Sequence, residues 1–470
     1  MYQIITFAST ILMAILILLI FRKKSDKTFS TFLKVLTVLY CVIGFFRFML
    51  SDSFVYVING GFFNNKWYDE QDILQSILRW GYYISYSVIP MAVFFKNRLF
   101  RNIASYICLP FAILSTVFFN DYMEYFLSPM GNGLKLVPWI RYAYFILELV
   151  IAMTIEILIQ IKYKHIFNFK DKKEIIYFFV ALPLILLQVM PVYTPQSIIG
   201  YTSISIHVPW LIIIIIEIIG LHYFFRFRSY NDRYQLIVFL TLVLFFHYDS
   251  LYLMGFSIPR LPVQLCNLAA YFYMIAIIFK NQKLFNFCYI INILGALIAI
   301  LAPDLNPGPL GFWNMHYTFE HMLVLIVPVL AMSLRIFKRV DKKALKHAFI
   351  GFMIYFVFCV ISGTLLNAYA VKDYNTVNYF YLFNLDKAVS YVSFVKFVEN
   401  YPIIINGFKI YPLLMLIILV VFSILALVWY WFIQKAYLIV DDHWQLRKAR
   451  IDLYEKITKK ESKSKKDYED

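Results

Sequence analysis

Apolar stretches of about twenty residues recur along the whole chain, and they constrain its fold more than any other feature. A helix needs about 20 apolar residues to cross the hydrocarbon core of a bilayer. The stretches lack the period-two alternation of outer-membrane strands, so each is predicted to be a helix. The sequence therefore predicts an all-α fold, a polytopic membrane helix bundle with about 13 transmembrane helices. The predicted spans are residues 3–21, 31–50, 74–95, 102–119, 138–161, 174–193, 205–225, 234–256, 261–279, 284–302, 316–334, 348–366 and 412–434.

The composition excludes several classes of protein. Hydrophobic residues make up 61% of the 470 residues, and charged residues only 15%. Soluble domains carry about 25% charged residues, which keep them dispersed in water. A soluble enzyme, a disordered chain and a disulfide scaffold are thus excluded. The net charge of +16 is divided among many short loops, which favours contact with an anionic lipid surface over nucleic-acid binding.

The basic residues alternate from loop to loop. Of the 44 lysine and arginine residues, 33 follow odd-numbered spans. Because cytoplasmic loops carry the excess of Lys and Arg, this pattern predicts a multi-pass cell-membrane protein with its N-terminus outside and its C-terminus in the cytoplasm. The first basic cluster comes after span 1, so this span is predicted to be an anchor and not a cleaved signal. Residues 441–470 are expected to form a charged cytoplasmic tail.

Short sequence matches indicate an internal repeat. Residues 92–97 (AVFFKN) resemble residues 276–281 (AIIFKN) at an offset of 184, and Phe45–Phe46 matches Phe245–Phe246. The second copy begins an even number of spans after the first, so the copies have the same orientation. We predict two parallel six-helix repeats plus one C-terminal helix. The expected domains are a degenerate repeat at 1–200, a catalytic-type repeat at 201–440 and the tail at 441–470.

Three reactive residues fall near the outer ends of spans in the second copy. They are Cys266, Asp304 and His321, and ionisable groups inside a bilayer by default mark functional sites. Cys266 lies about 9 Å into its span and His321 about 7 Å into its own. A histidine can deprotonate a thiol, and a carboxylate can orient the imidazole. Acyl transfer through a thioester is the expected reaction. The first copy has Tyr82, Asn120 and Ile146 at the corresponding positions.

Other ionisable residues lie close to these three in the sequence. Glu320 is expected to point away from the face that carries His321, because adjacent residues do not share a helix face. The spacing of His, Asp and Cys fits no short zinc motif, so neither a metal nor a cofactor is predicted. The candidates for binding lipid headgroups are His316, His247, Asp249 and Arg260.

A family resemblance follows from motifs in the second half of the chain. The order is LPxxxC at 261–266, GAL at 295–297, PD at 303–304 and then His321, followed by GT at 363–364 and NYFYL at 378–382. Over residues 205–435 this order resembles the YwaF-like family of bacterial integral membrane proteins. That family is similar to eukaryotic transmembrane cysteine phospholipid acyltransferases. Relatives are expected to carry a small residue such as Ser where this chain has Glu320.

The resemblance implies roles for particular residues. Cys266 would accept the acyl chain, His321 would act as base and Asp304 would orient it, while Asn378 and Tyr379 belong to the motif loop and are candidates for substrate binding. The predicted function is a membrane acyltransferase near the outer leaflet. Its expected partners are membrane phospholipids or glycolipids, with a lipoprotein as a possible acceptor. A transporter or flippase, which a parallel repeat suits, and a non-catalytic envelope scaffold are the alternatives.

Overall fold

The computed structural model describes residues 1–46, 73–95, 98–127, 138–163, 176, 207–249, 263–301, 312–370 and 377–466. The first half contains α1 (Tyr2–Phe21), α2 (Asp26–Phe46), α3 (Ile73–Phe94), α4 (Arg98–Ile103), α5 (Leu109–Val117), α6 (Phe119–Leu127) and α7 (Pro138–Lys162). The second half contains α8 (His207–Phe225), α9 (Tyr230–Asp249), α10 (Leu265–Ile278), α11 (Gln282–Phe287), α12 (Ile293–Leu301), α13 (Phe312–Ser333), α14 (Lys342–Leu365), α15 (Leu385–Tyr391) and α16 (Pro412–Lys466). Short π and 3-10 segments connect or extend several of these helices.

The described structure confirms the all-α membrane bundle. Apart from 174–193, which lies outside the described residues except for residue 176, each predicted span overlaps a described helix. Within the described ranges, seven helices are long and apolar enough to cross a membrane, so the exact number of 13 is not confirmed. Helices satisfy their own backbone hydrogen bonds, which is why the apolar segments adopt this conformation in lipid. The shorter apolar helices are Ile84–Phe94, Leu211–Phe225, Leu265–Ile278 and Tyr317–Ser333.

The two halves of the chain pack their helices in the same way. Helix α7 packs against α1, α2 and α5, and α13 packs correspondingly against α8, α9 and α12. Helices α2 and α3 also contact each other, as α9 and α10 do. One contact between the halves joins α3 to α9. This repeated packing supports the parallel repeat that the sequence predicts.

A π-helical turn occurs at the same place in both halves. In the first half, six residues of α4 lead into the π-turn Ala104–Cys108 and then into the nine residues of α5. In the second half, six residues of α11 lead into the π-turn Cys288–Asn292 and then into the nine residues of α12. Every boundary is shifted by the same 184 residues that separate the sequence motifs. π-Turns are uncommon, so this agreement is strong support for the repeat.

The basic loops meet at one end of the bundle. Lys162, at the end of α7, lies 2.7 Å from the carboxylate of Asp26 at the start of α2. Gln282 exchanges two hydrogen bonds with the backbone of Lys338, which lies beyond α13. These contacts join loops that follow odd-numbered spans, as the alternation of charge requires.

The C-terminal helix does not end at the membrane. α16 runs for 55 residues, so the predicted boundary between residues 440 and 441 lies inside it. Asp441 pairs with Arg339 at 2.7 Å, and the indole of Trp444 donates to the carbonyl of Ser333 at 2.9 Å. The start of the predicted tail is therefore packed on the basic end of the bundle.

A small hairpin precedes α16. Its strands, β1 (Ile403–Ile405) and β2 (Phe408–Ile410), are antiparallel. The turn consists of Asn406 and Gly407, both with positive φ, as a two-residue hairpin turn requires. The Asn406 amide also donates to the carbonyl of Ala368 at 2.6 Å, which ties the hairpin to the end of the α14 segment.

Candidate functional site

Cys266 is the second residue of α10 and is half-buried. The prediction began this span at residue 261, which would put the thiol deeper in the helix. In the structure Gln264 is extended, with φ −60° and ψ 146°, and the helix starts one residue later. Val263 and Gln264 bind other parts of the chain, as described next, so the thiol lies in the first turn of its helix.

Three different elements hold the chain around the thiol. The Tyr355 hydroxyl of α14 donates to the carbonyl of Val263 at 2.9 Å. The Gln264 amide donates to the Asn378 carbonyl at 2.8 Å and accepts from the Phe380 N–H at 2.9 Å. The Asn292 amide, from the π-turn, donates to the Leu265 carbonyl at 2.5 Å. The three residues before Cys266 are thus fixed from separate directions, and the position of the sulfur is fixed with them.

The surroundings of the sulfur suit a nucleophile. The thiol donates to Oδ1 of Asn267 at 3.1 Å. The backbone N–H groups of Cys266 and Asn267 also interact with the sulfur, and a helix N-terminus favours negative charge there. The hydroxyl of Tyr355 and the carboxyl of Glu320 both lie within electrostatic range of it. Cys266 therefore has donors, a carboxyl and a hydroxyl around it.

Helix α13 brings Glu320 and His321 to the packed interior, where both are buried. Glu320 was expected to point away, and instead its charge acts on Cys266 from the neighbouring helix. Nδ1 of His321 lies 2.6 Å from the Tyr317 carbonyl, and the two rings are 4.1 Å apart. Because a carbonyl only accepts, Nδ1 carries the proton and Nε2 is left as the basic nitrogen. The Tyr317 hydroxyl in turn donates to Ala299 at 2.7 Å.

The structure brings Cys266 and His321 onto packed helices, but it does not join them by a hydrogen bond. The hydrogen bonds described for the two side chains go to Asn267 and Tyr317. The Tyr317 carbonyl also occupies the ring nitrogen that an orienting carboxylate would use. Asp304 lies outside the described residues, so its orienting role stays a prediction.

The loop predicted to bind substrate lies beside the Cys266 helix. The Asn378 carbonyl binds Gln264, and its side chain accepts from the Phe383 N–H at 2.9 Å. Tyr379 is 1% exposed, and burial raises the pKa of its hydroxyl, which therefore stays protonated at neutral pH. Phe380 and Tyr381 have φ values of 54° and 59°, an arrangement that large side chains adopt only when the surroundings impose it. Asn378 and Tyr379 thus hold the site from one side.

The remaining predicted residues are described only in part. Arg260 lies outside the described residues. His247 and Asp249 are in the last turn of α9, and His316 is in the first turns of α13, but the side chains of these three lie outside the described structure. In the part of the chain that is described, no three His, Cys, Asp or Glu residues gather closely enough to hold a metal ion.

Several residues of the site were not predicted from the sequence. Gln264, Asn292 and Tyr355 contact the start of α10 from distant parts of the chain, and nothing in their local sequence marks them. Glu320 carries a recognisable mark, since a carboxylate inside an apolar run is costly.

The first repeat holds a second polar cluster that sequence reasoning also missed. Glu148 and Glu156 of α7 are 1% and 0% exposed. Neither carboxylate oxygen of Glu156 has a hydrogen-bond partner in the described structure, and its charge acts on the buried thiol of Cys108. Cys108 in turn lies beside the Ser85 hydroxyl. Both carboxylates interrupt the apolar run at 138–161, and that interruption could have identified them.

Comparison with known proteins gives one match. No curated protein and no solved structure matches the chain significantly. A model of the TMEM164 family matches residues 200–421, just under half of the chain. The match runs from before α8 into α16 and contains Cys266, His321 and the Asn378 loop, whereas the first repeat lies outside it. Membership of the bacterial YwaF-like family stays a prediction. This chain is thus a multi-pass membrane protein whose second half is similar to the TMEM164 family.

Proposed function

We propose that the protein is a cysteine-dependent membrane acyltransferase. It moves a fatty acyl chain from a membrane phospholipid or glycolipid to a second lipid or to a lipid-linked acceptor such as a lipoprotein. The observation that carries the proposal is the placement of Cys266 in the first turn of α10, with backbone N–H groups directed at its sulfur and three elements holding the chain before it. A cysteine that served only as a small core residue would not need this support.

The reaction has two balanced halves. In the first, the Cys266 thiol gives its proton to Nε2 of His321, and the sulfur attacks the carbonyl carbon of a lipid ester. The C–S bond forms, the ester C–O bond breaks, and the departing lipid alcohol takes the proton from the imidazolium. In the second, an acceptor hydroxyl or amine gives its proton to the same nitrogen and attacks the thioester. The C–S bond then breaks, and the sulfur takes the proton back.

His321 is the base in this proposal because its Nδ1 is already bound to the Tyr317 carbonyl. This bond fixes the ring and leaves Nε2 to accept protons, as an orienting carboxylate does in other active sites. Glu320 is the competing base, since its charge acts directly on the thiol. Rotation of the Cys266 side chain away from Asn267 is required before the proton reaches either group.

The proposal is tested by trapping the acyl-enzyme. Purified protein is incubated with a phospholipid that carries a labelled acyl chain, and the intact mass and the labelled peptide are measured. We expect a hydroxylamine-sensitive acyl group on Cys266, and its loss in Cys266→Ala. Cys108→Ala is the matched control, because it removes a thiol from the first repeat and leaves α10 unchanged. Unchanged acyl transfer by folded Cys266→Ala would end the mechanism.

A transporter or flippase is the second candidate. The observation in its favour is the pair of buried carboxyls, Glu148 and Glu156, in a repeat that lies outside the family match. Intramembrane carboxyls commonly mark ion or proton paths. Lipid movement across vesicles by Cys266→Ala, together with its loss in Glu156→Gln, would favour this candidate over the acyltransferase.

A further inference from the structure

A second cavity lies between the two repeats, away from Cys266. Its volume is about 630 Å³, within the range of ligand sites. It is lined by α2 and α3 of the first repeat and by α9 and α10 of the second. Its walls at α10 include Met274 and Ile278, eight and twelve residues beyond Cys266. At about 1.5 Å per residue, the cavity and the thiol are at opposite ends of this helix. We call this cavity the repeat cleft.

The repeat cleft is nearly symmetric. The helices that line it from one side correspond to those on the other, α2 to α9 and α3 to α10. Equivalent positions, separated by 200 residues on α2 and α9 and by 184 on α3 and α10, face each other across it. These pairs are Val38 with Val238, Val42 with Leu242, and Phe94 with Ile278. Binding sites between parallel repeats are a recurrent arrangement in membrane proteins.

The cleft is apolar along most of its length and polar at one end. The polar end contains Lys34 of α2 together with Asn231, Tyr234 and Gln235 from the first turns of α9. Lys280 joins this end, since its ammonium lies 4.9 Å from the centre of the Tyr234 ring. Lys34 and Lys280 are exposed, and no acidic side chain lines the described cleft. The polar end lies on the side of the basic loops, and the apolar part extends into the bundle.

We propose that the repeat cleft binds an anionic glycerophospholipid. One acyl chain lies between the repeats against Val238 and Leu242, and the phosphate lies at Lys34 and Lys280. The chemistry of the cleft matches an amphipathic anion, because apolar walls exclude a polar solute and two lysines without a lining carboxylate favour negative charge. Val38 and Ile278 remain about half exposed, so a lipid can enter sideways from the bilayer.

The occupant is identified by labelling with photoactivatable lipids. Full-length purified protein in proteoliposomes is irradiated with phosphatidylglycerol or phosphatidylcholine that carries a diazirine in the middle of one acyl chain. Labelled peptides are located by mass spectrometry. We expect phosphatidylglycerol to label α2, α3, α9 and α10 preferentially, with about a fivefold contribution from each lysine. Equal labelling by the two lipids, or labelling spread over all apolar helices, would overturn the proposal.

Two kinds of variant test the separate parts of the site. Lys34→Gln and Lys280→Gln should each lower labelling by phosphatidylglycerol about fivefold, whereas Lys27→Gln, an exposed position at the start of the same helix, should not. Val238→Trp fills the apolar part and should remove labelling by both lipids. Val42→Trp, at the exposed edge, tests the same point if Val238→Trp does not fold.

Val35→Trp is the matched control for size, since Val35 is 63% exposed and does not line the cleft. Labelling that survives in folded Val238→Trp or Val42→Trp would contradict the proposal. An efficient disulfide between Val38→Cys and a cysteine introduced into the predicted span 174–193 would also contradict it, because the chain itself would then fill the cleft. Cys266→Ala should retain full labelling, which separates this lipid site from the proposed acyl transfer.

Discussion

Gly81 lies so close to Phe111 that a β-carbon on Gly81 would come within 2.5 Å of the phenyl ring. At the equivalent positions, 184 residues later, Leu265 packs against Gly295, where an added β-carbon would lie 3.0 Å from the leucine side chain. The large and small partners are exchanged between the repeats. In each repeat one glycine lets the helix before the π-turn segment approach the helix that follows it. The second of these contacts lies directly beside Cys266.

This relationship predicts strong coupling between Gly81 and Phe111. Gly81→Ala should lower the free energy of unfolding by about 1–3 kcal/mol, because the added methyl overlaps the ring. Combining it with Phe111→Ala should cost less than the sum of the single changes, by at least about 1 kcal/mol. Thermal unfolding in detergent measures the cycle. Gly220→Ala is the control, since an added β-carbon meets nothing within 4 Å, and simple additivity at 81 and 111 would refute the contact.

The Gln264 side chain should matter for acylation more than for stability. Gln264→Ala removes both hydrogen bonds to the Asn378 loop, at a cost of about 1–3 kcal/mol. We expect single-turnover acylation of Cys266 to fall about tenfold or more, because misplaced reacting groups lose rate steeply. Hydrogen exchange of residues 377–383 should rise at the same time.

Gln282→Ala is the matched control for this change. Gln282 makes the same kind of paired contact with the backbone of Lys338 at the opposite end of the helix. Its loss should cost similar stability and leave acylation unchanged. Equal effects of the two variants on acylation would mean that the Gln264 contact has no special role at the thiol.

Variants of His321 and Glu320 identify the base. His321→Ala should lower acyl-enzyme formation by about 10²–10⁴-fold, the usual contribution of a positioned general base. Glu320→Gln keeps the size of the side chain and removes its ability to accept a proton, so acylation should change by less than about tenfold. Rapid-quench measurement of the labelled protein distinguishes the two. The reverse result would assign the base to Glu320.

The packing of the C-terminal segment on the bundle predicts unequal effects at two nearby residues. Asp441→Asn should cost less than about 1 kcal/mol, because its pairs with Arg335 and Arg339 are largely exposed and screened by salt. Trp444→Ala should cost about 3–5 kcal/mol, since it removes a buried indole, its bond to Ser333 and its contacts with Arg233 and Arg335. Unfolding of full-length protein at low and high salt checks both.

Much of the fold was predictable because its determinants are local. Apolar runs located the helices, and the repeat offset of 184 found in six residues matches every boundary of the two π-turn segments. The start of α10 was placed four residues too early. The hydrogen bonds that end the extended segment at Gln264 come from Asn378 and Phe380, and no local pattern near residue 264 reveals them.

The sequence by itself determined the membrane class, the order of the helices, the repeat, and the choice of Cys266 and His321 as candidate reactive residues. These follow from hydropathy, charge and the cost of ionisable groups in lipid, which are properties of single segments. Only the tertiary structure decided what surrounds the thiol. Its supports are residues 27, 92 and 114 positions apart along the chain from the residues they bind. The facing of Glu320 toward Cys266 and the cleft between the repeats likewise depend on how helices pack, because packing joins faces that the sequence keeps apart.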